Sequence, residues 1–258
     1  MRNIPSAIDA IGAIFKGYLP KVFQARGWVL AGLTLMPLVV VWVVMIFDSA
    51  PNPARTSLEL YHYGYGQITL PIIAIVAAPA CISEDLEQRA LPLMLARPAP
   101  AWTIPLAKGL LWFAWCAIWL MVAVTLMPFV GLDPYSVPRK ILALLLAHWA
   151  QLGFASLLLW FFKRGTLWAV LFFYIWDPMV RVLPPALQRA TFTHYLESIS
   201  ISRYTNNDVF DILAQTQITT PLWLCVTILL AIGALAWGIS GFRLMRMPVG
   251  LAGGESEG

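Results

Sequence analysis

The chain has 258 residues, of which 60% are hydrophobic and only 12% charged. A soluble domain carries about a quarter charged residues, so composition excludes an ordinary water-facing domain and places the chain in a membrane; the mean hydropathy of +0.74 agrees. The formal net charge of +4 is small and its positive residues fall mostly in loops and at the N-terminus, so they report orientation and exclude nucleic-acid binding. Twelve tryptophans suit the boundary between hydrocarbon and headgroups. Cys81, Cys116 and Cys225 lie in apolar runs without CxxC spacing and read as packing residues, not as a redox or metal site.

In chain order, the first patterned segment is Ile4 to Phe23, where Ile4, Ile8, Ile11, Phe15, Leu19 and Val22 recur every three or four residues. That spacing predicts a helix with one apolar stripe, lying in the membrane interface with Lys16 and Lys21 toward headgroups. A cleavable signal peptide fits poorly, because 27 residues precede a first apolar run that is itself span-length. Six runs then approach the roughly 20 residues needed to cross about 30 Å of hydrocarbon: Trp28–Phe47, Gly66–Ile82, Leu110–Val130, Ile141–Phe162, Leu167–Leu183 and Pro221–Ile239. The second and fifth are short, which predicts little tilt or a broken helix there. The chain thus reads as a single all-α membrane domain over 1–258: an interfacial helix (1–27), a six-span bundle (28–239) and a tail (240–258).

With the N-terminus cytoplasmic, that side holds Arg2, Lys16, Lys21, Arg26, Arg89, Arg97, Lys108, Lys163, Arg164, Arg243 and Arg246, and the far side Arg55, Arg139, Lys140, Arg181, Arg189 and Arg203. The count is 11 against 6, or 11 against 3 once the last three, in or beside a long loop, are set aside. Both termini are therefore expected in the cytoplasm, in a cytoplasmic (inner) membrane.

Between the second and third runs stands a polar interruption, Ser83-Glu84-Asp85-Leu86-Glu87-Gln88-Arg89-Ala90-Leu91. Ser83 followed by acidic residues resembles a helix start, where carboxylates meet the positive end of the helix dipole. Pro92 limits that helix to about two turns, and Pro98, Pro100 and Pro105 keep the chain bent on its return to the membrane. The loop Pro184–Thr220 is too long for a simple connection. Its Leu187, Ala190, His194 or Tyr195, and Ile199 fall at helical spacing with polar residues between. This predicts a re-entrant or interfacial helical element between spans five and six.

These features together resemble the membrane subunits of ABC-2 type transporters. The local likeness is Ile82 to Leu91, then Leu93-Met94-Leu95-Ala96-Arg97-Pro98, then Lys108. The family commonly has an acidic pair before Gly-Thr-Leu, a leucine run, an Arg-Pro or Lys-Pro and a Lys entering the third span. Here Arg89-Ala90-Leu91 stands in place of Gly-Thr-Leu, and Pro105 is extra. The resemblance implies a cytoplasmic coupling helix that docks on a separate nucleotide-binding ATPase, with Glu84, Asp85, Glu87 and Arg89 in charge pairs and Leu86, Leu91 and Met94 as buried anchors. It also implies a dimer with a second permease subunit, a copy or a relative. No Gly-x-x-x-x-Gly-Lys-Ser/Thr run occurs in the chain, so ATP and Mg belong to the partner and this chain is not itself the enzyme.

Within the spans, Asp177 and Arg181 are four apart and can pair on one helix face, while Asp177-Pro178 can instead mark a helix break; contact with a polar substrate or a proton is the functional alternative. His148 and Gln151 are three apart on one face of the fourth span, where polar side chains commonly bridge helices, with substrate contact as the alternative. Trp112, Trp115 and Trp119 form a stripe that reads as packing or lipid-facing. The expected function is the permease subunit of an ATP-driven exporter of a hydrophobic or amphipathic substrate. The alternatives are an ion-driven or energy-independent carrier, which would call for internal repeats and ionisable residues near the midplane, and a permease-like subunit of a non-transporting assembly complex. An intramembrane enzyme would need a nucleophile–base pair or a ligand cluster that His148, Gln151 and Asp177 do not supply.

Overall fold

The computed structural model describes residues 7–47, 53–81, 84, 100–181, 184–200 and 220–246. Among them the chain is helical, with no strand. Helix α1 (Ala7–Val22) is followed directly by α2 (Ala25–Phe47). Next come α3 (Pro53–Glu59), a π-helical stretch (Leu60–Thr69) and α4 (Leu70–Cys81), which run on without a break. The long helices α5 (Thr103–Leu126) and α6 (Val137–Phe161) follow. After α7 (Gly165–Leu171) the chain forms a π turn (Phe172–Trp176) and a tight 3-10 stretch (Asp177–Arg181). The short α8 (Pro185–Gln188), α9 (Phe192–Ser200) and α10 (Leu222–Met245) complete the described chain.

Among the described residues, five segments are long and apolar enough to cross a membrane: Ala25–Val43, Thr56–Cys81, Thr103–Val130, Pro134–Phe161 and Leu222–Met245. Four of them overlap the expected runs closely. The second begins some ten residues before the expected Gly66, because Tyr61, Tyr65 and Thr69 are buried against protein and need no apolar run to hold them. The Tyr61 hydroxyl donates to the carbonyl of Lys140 at 3.0 Å, and Thr69 Oγ1 donates to the Gly64 carbonyl five residues back. Pro105 is tolerated because it sits in the first turn of α5, where its missing N–H would have had no intrahelical partner.

Helix α6 is the centre of the bundle and packs on α10, α4, α9, α5 and α7. Lipid offers no hydrophobic incentive for helices to associate, so close approach depends on small residues. A Cβ at Gly153 of α6 would stand 3.3 Å from the Gly233 carbonyl and 3.2 Å from Ala236 Cβ of α10. Trp149 of α6 lies over Gly233, and Trp237 of α10 lies over Gly109 of α5. These pairings make α6 and α10 parallel and α5 antiparallel to both.

The contacts define two ends. At the base, Arg26 is ion-paired with Glu84, the Lys108 ammonium lies 3.9 Å over the Tyr18 ring, and Arg243 lies 4.4 Å over Phe161. At the top, Tyr61 meets Lys140, and Gly131 closes the turn after α5 against Pro53 with φ +99°, a conformation that favours glycine. The N-terminal helix therefore sits at the base, on α5, with Ala10 and Val22 buried and Ile8 left 80% exposed. Residue 246 ends at the base as well. Since α6 arrives at the base and α10 starts from the top, the chain between them has to climb back. The expected fifth span is only partly realised in doing so: its helix is interrupted at Phe172 and again at Asp177.

Candidate functional site

The break at Asp177 builds the most polar part of the interior. Asp177 is almost wholly buried, and its carboxylate accepts from the backbone N–H of Phe192 at 2.5 Å, that of Thr193 at 3.2 Å and the Thr193 hydroxyl at 2.6 Å. It is thus an N-terminal cap for α9 supplied from outside the helix, satisfying donors that would otherwise be orphaned. The expected i, i+4 pairing with Arg181 assumed an α-helix. The backbone tightens into a 3-10 stretch over Asp177–Arg181, as the helix-break reading expects; the Arg181 side chain lies outside what the structure describes.

Helix α9 is short, yet every residue from Phe192 to Ser200 is buried. Its start stacks into a cluster of Phe154, Phe172 and Phe173, with ring centroids 5.7 to 5.9 Å from Phe192. Its end reaches the top, where the guanidinium of Arg139 donates to the Ile199 carbonyl. A carboxylate at the N-terminus and a cation at the C-terminus both complement the helix dipole. Midway, His194 Nε2 and the Thr220 hydroxyl are 2.9 Å apart, which ties α9 to the start of α10. Burial and nearby Arg189 hold the His194 ring below its usual range. The expected re-entrant or interfacial element contains a short buried helix, packed on α6, α10 and the π stretch.

His148 and Gln151 occupy the middle of α6, fully buried. The expected bridge between helices is not made by His148: its ring stacks on Phe113 of α5 at 5.7 Å, and neither ring nitrogen has a hydrogen-bond partner. Gln151 Oε1 is likewise unpartnered. The structure does not bring this pair together with Asp177, which is engaged with α9. The tryptophan stripe packs as expected: Trp115 Nε1 donates to the Gly27 carbonyl at 2.8 Å, and Trp115 and Trp119 both meet Trp28.

Of the expected coupling-helix residues, Glu84 is described: it is half-buried and paired with Arg26 at the base. Asp85, Leu86, Glu87, Arg89, Leu91 and Met94 lie outside the described residues. All three cysteines are buried thiols outside any disulfide. Among the described residues, no three His, Cys, Asp or Glu side chains gather where a metal ion could be held. Two buried lysines went unremarked as sites in the sequence, Lys108 at the base and Lys140 at the top. The only sequence signal for Lys140 is the Arg139-Lys140 pair, standing on the side where basic residues are sparse.

The fold and interior define a helical integral membrane protein, by the length and apolarity of five of its helices. Beyond that class, no protein-family model matches the chain, and no curated protein matches it.

Proposed function

We propose that the chain is the membrane-spanning permease subunit of an ATP-driven transporter of the ABC-2 type, exporting a hydrophobic or amphipathic substrate. ATP and Mg are handled by a separate P-loop subunit, and a second permease subunit, a copy or a relative, completes the pathway. The observation that carries this reading is the position of the described ends that flank the polar segment. Helix α4 ends and α5 begins at the base, beside α1 and residue 246, and Glu84 is anchored there to Arg26. A soluble motor at that end would reach this segment and the N-terminal helix together.

The sixth crossing in this layout is Gly165–Arg181, a stretch of 17 residues that spans about 25 Å at helical rise. Charge favours a cytoplasmic base. Among the described residues Lys16, Lys21, Arg26, Lys108, Lys163, Arg164, Arg243 and Arg246 stand there, against Arg55, Arg139 and Lys140 in the short segments at the top. The test is extraction in mild detergent after crosslinking, with partners identified by mass spectrometry. A P-loop ATPase recovered with the parent and lost from a folded Glu84→Lys, Glu87→Lys variant is the expected result; a preparation without any ATPase overturns the reading.

One observation favours a second reading, an ion-driven carrier. The interrupted 165–181 stretch and α9 bring Asp177, His194 and Glu197 into the interior, as broken helices do in secondary transporters. Substrate movement driven by a pH gradient in vesicles of the purified chain alone would select it.

A further inference from the structure

His148 and Gln151 differ from the hydroxyl residues buried in the long helices. Thr34 and Ser240 each reach a carbonyl of their own helix, at Leu30 and Ala236, both at 2.8 Å. An imidazole and a carboxamide carry more hydrogen-bonding atoms than a hydroxyl can satisfy in that way. Among the described residues neither nitrogen of His148 nor Oε1 of Gln151 has a partner, and both residues are fully buried. Leaving such atoms unmet is costly, and buried polar groups in native proteins are rarely left so.

Their position in the bundle explains why no side chain answers them. Helices α4, α5 and α6 pack on one another. The His148 ring stacks on Phe113 of α5, so it stands on the α5 side of α6. Gln151 follows Lys140 by about three full turns, which places it on the stripe where Lys140 meets Tyr61. The helix that begins there runs on into α4, whose buried residues from Leu70 to Ala80 are all apolar. One wall is therefore an aromatic ring and the other is built largely of alanine.

We propose that the seam of α4, α5 and α6 at His148 and Gln151 binds a neutral hydroxyl or carboxamide group of an amphipathic ligand. The unmet atoms select that chemistry. A neutral imidazole has one N–H donor and one acceptor nitrogen, and Oε1 is a second acceptor. A hydroxyl accepts from the ring N–H and donates to Gln151, while its apolar chain lies against Phe113 and the alanines. An anion would bring its lone pairs against two acceptors. A cation at this depth calls for a carboxylate, and Asp177 is engaged with α9. A site built this way discriminates strongly against an analogue that lacks the hydroxyl, because its own buried atoms are then left unpaired. As a substrate site it rests on the permease reading above. Binding is measured without an ATPase, so the failure of one reading is distinguishable from the failure of the other.

The test uses the purified full chain, isotope-labelled in its histidine ring nitrogens, in micelles of neutral detergent. It is titrated with decanol, with decane and with decanoate, and the nitrogen chemical shifts report hydrogen bonding and tautomer. His148→Phe identifies the His148 signals; if it does not fold, His62→Gln and His194→Gln identify them by elimination. The expected result is a saturable shift of the His148 nitrogens with decanol and none with decane or decanoate. In Gln151→Leu the affinity for decanol falls about tenfold, the scale of one lost hydrogen bond, while Gly238→Ala binds as the parent does. Should Gln151→Leu not fold, Gln151→Met carries the same comparison. His148 signals that no probe moves, including nitrogens already bonded to water, overturn the proposal. So does decane acting as decanol does, a stronger response to decanoate, or a folded Gln151 variant of unchanged affinity.

Discussion

Replacing Asp177 with alanine tests how the interior of this protein is held together. The side chain accepts three hydrogen bonds at the start of α9, two of them from backbone N–H groups in a buried setting. Losing an N-terminal cap costs about 0.5 to 2 kcal/mol, and each buried donor left without a partner costs about 1 to 3 kcal/mol. Two donors are orphaned here, so Asp177→Ala should destabilise the protein by about 3 kcal/mol. Asp177→Asn is predicted to be far milder. Its amide oxygen can keep both N–H bonds, and the Thr193 hydroxyl can turn from donor to acceptor for the amide. What it loses is the attraction of a charge for the helix dipole, about 0.3 to 1 kcal/mol. The assay is unfolding in mixed micelles by titration with SDS, followed by circular dichroism on all three proteins. If asparagine costs as much as alanine, position 177 supplies charge and not acceptor geometry, and the capping account fails. An alanine variant as stable as the parent would show that these bonds do not hold α9.

Three further substitutions follow from the same interior. Gly233→Ala would place a Cβ 2.1 Å from Trp149 Nε1, an overpacking that should cost about 1 to 3 kcal/mol, whereas Gly238→Ala, with nothing within 4 Å, should leave the melting temperature unchanged. His148→Phe should fold at least as well as the parent, because it keeps the stack on Phe113 and removes two buried nitrogens without partners; a variant that folds but no longer transports would assign His148 to the substrate path. His194 is held below its ordinary pKa of 6.5 in the folded state, by burial first and Arg189 second. The unfolded chain therefore takes up this proton more readily, so the stability contributed by the neutral ring is present above about pH 6.5 and is lost as the pH falls below it. Comparing the parent with His194→Gln between about pH 8 and about pH 5.5 should show a shallower loss of stability in the variant.

How far the fold is legible in the sequence depends on what surrounds each segment. Where a helix faces lipid, as α10 and much of α2 do, the apolar run and the helix nearly coincide, and the spans can be read off directly. Where a helix is surrounded by protein, that correspondence fails. Tyr61 to Tyr65 reads as an extramembrane approach to the second span, yet it is helix, with both tyrosines buried and the Tyr61 hydroxyl bonded to the Lys140 carbonyl of α6. At α9 the helical spacing is legible, but the burial of its polar residues is not. Thr193, His194, Glu197, Ser198 and Ser200 suggest a surface helix only if the polar side must meet water; here the partners of Thr193, His194 and the two helix ends come from Asp177, Thr220 and Arg139. Those partners stand 16, 26 and 60 positions away along the chain, well beyond the reach of any local spacing rule. Asp177 is a related case: the residue that interrupts its own helix caps another. Polar residues in this interior therefore mark junctions between elements. Among the described residues His148 and Gln151, one turn apart in α6, have demands that those junctions leave unmet, and for that reason they are positions at which a ligand or a proton would have a large effect.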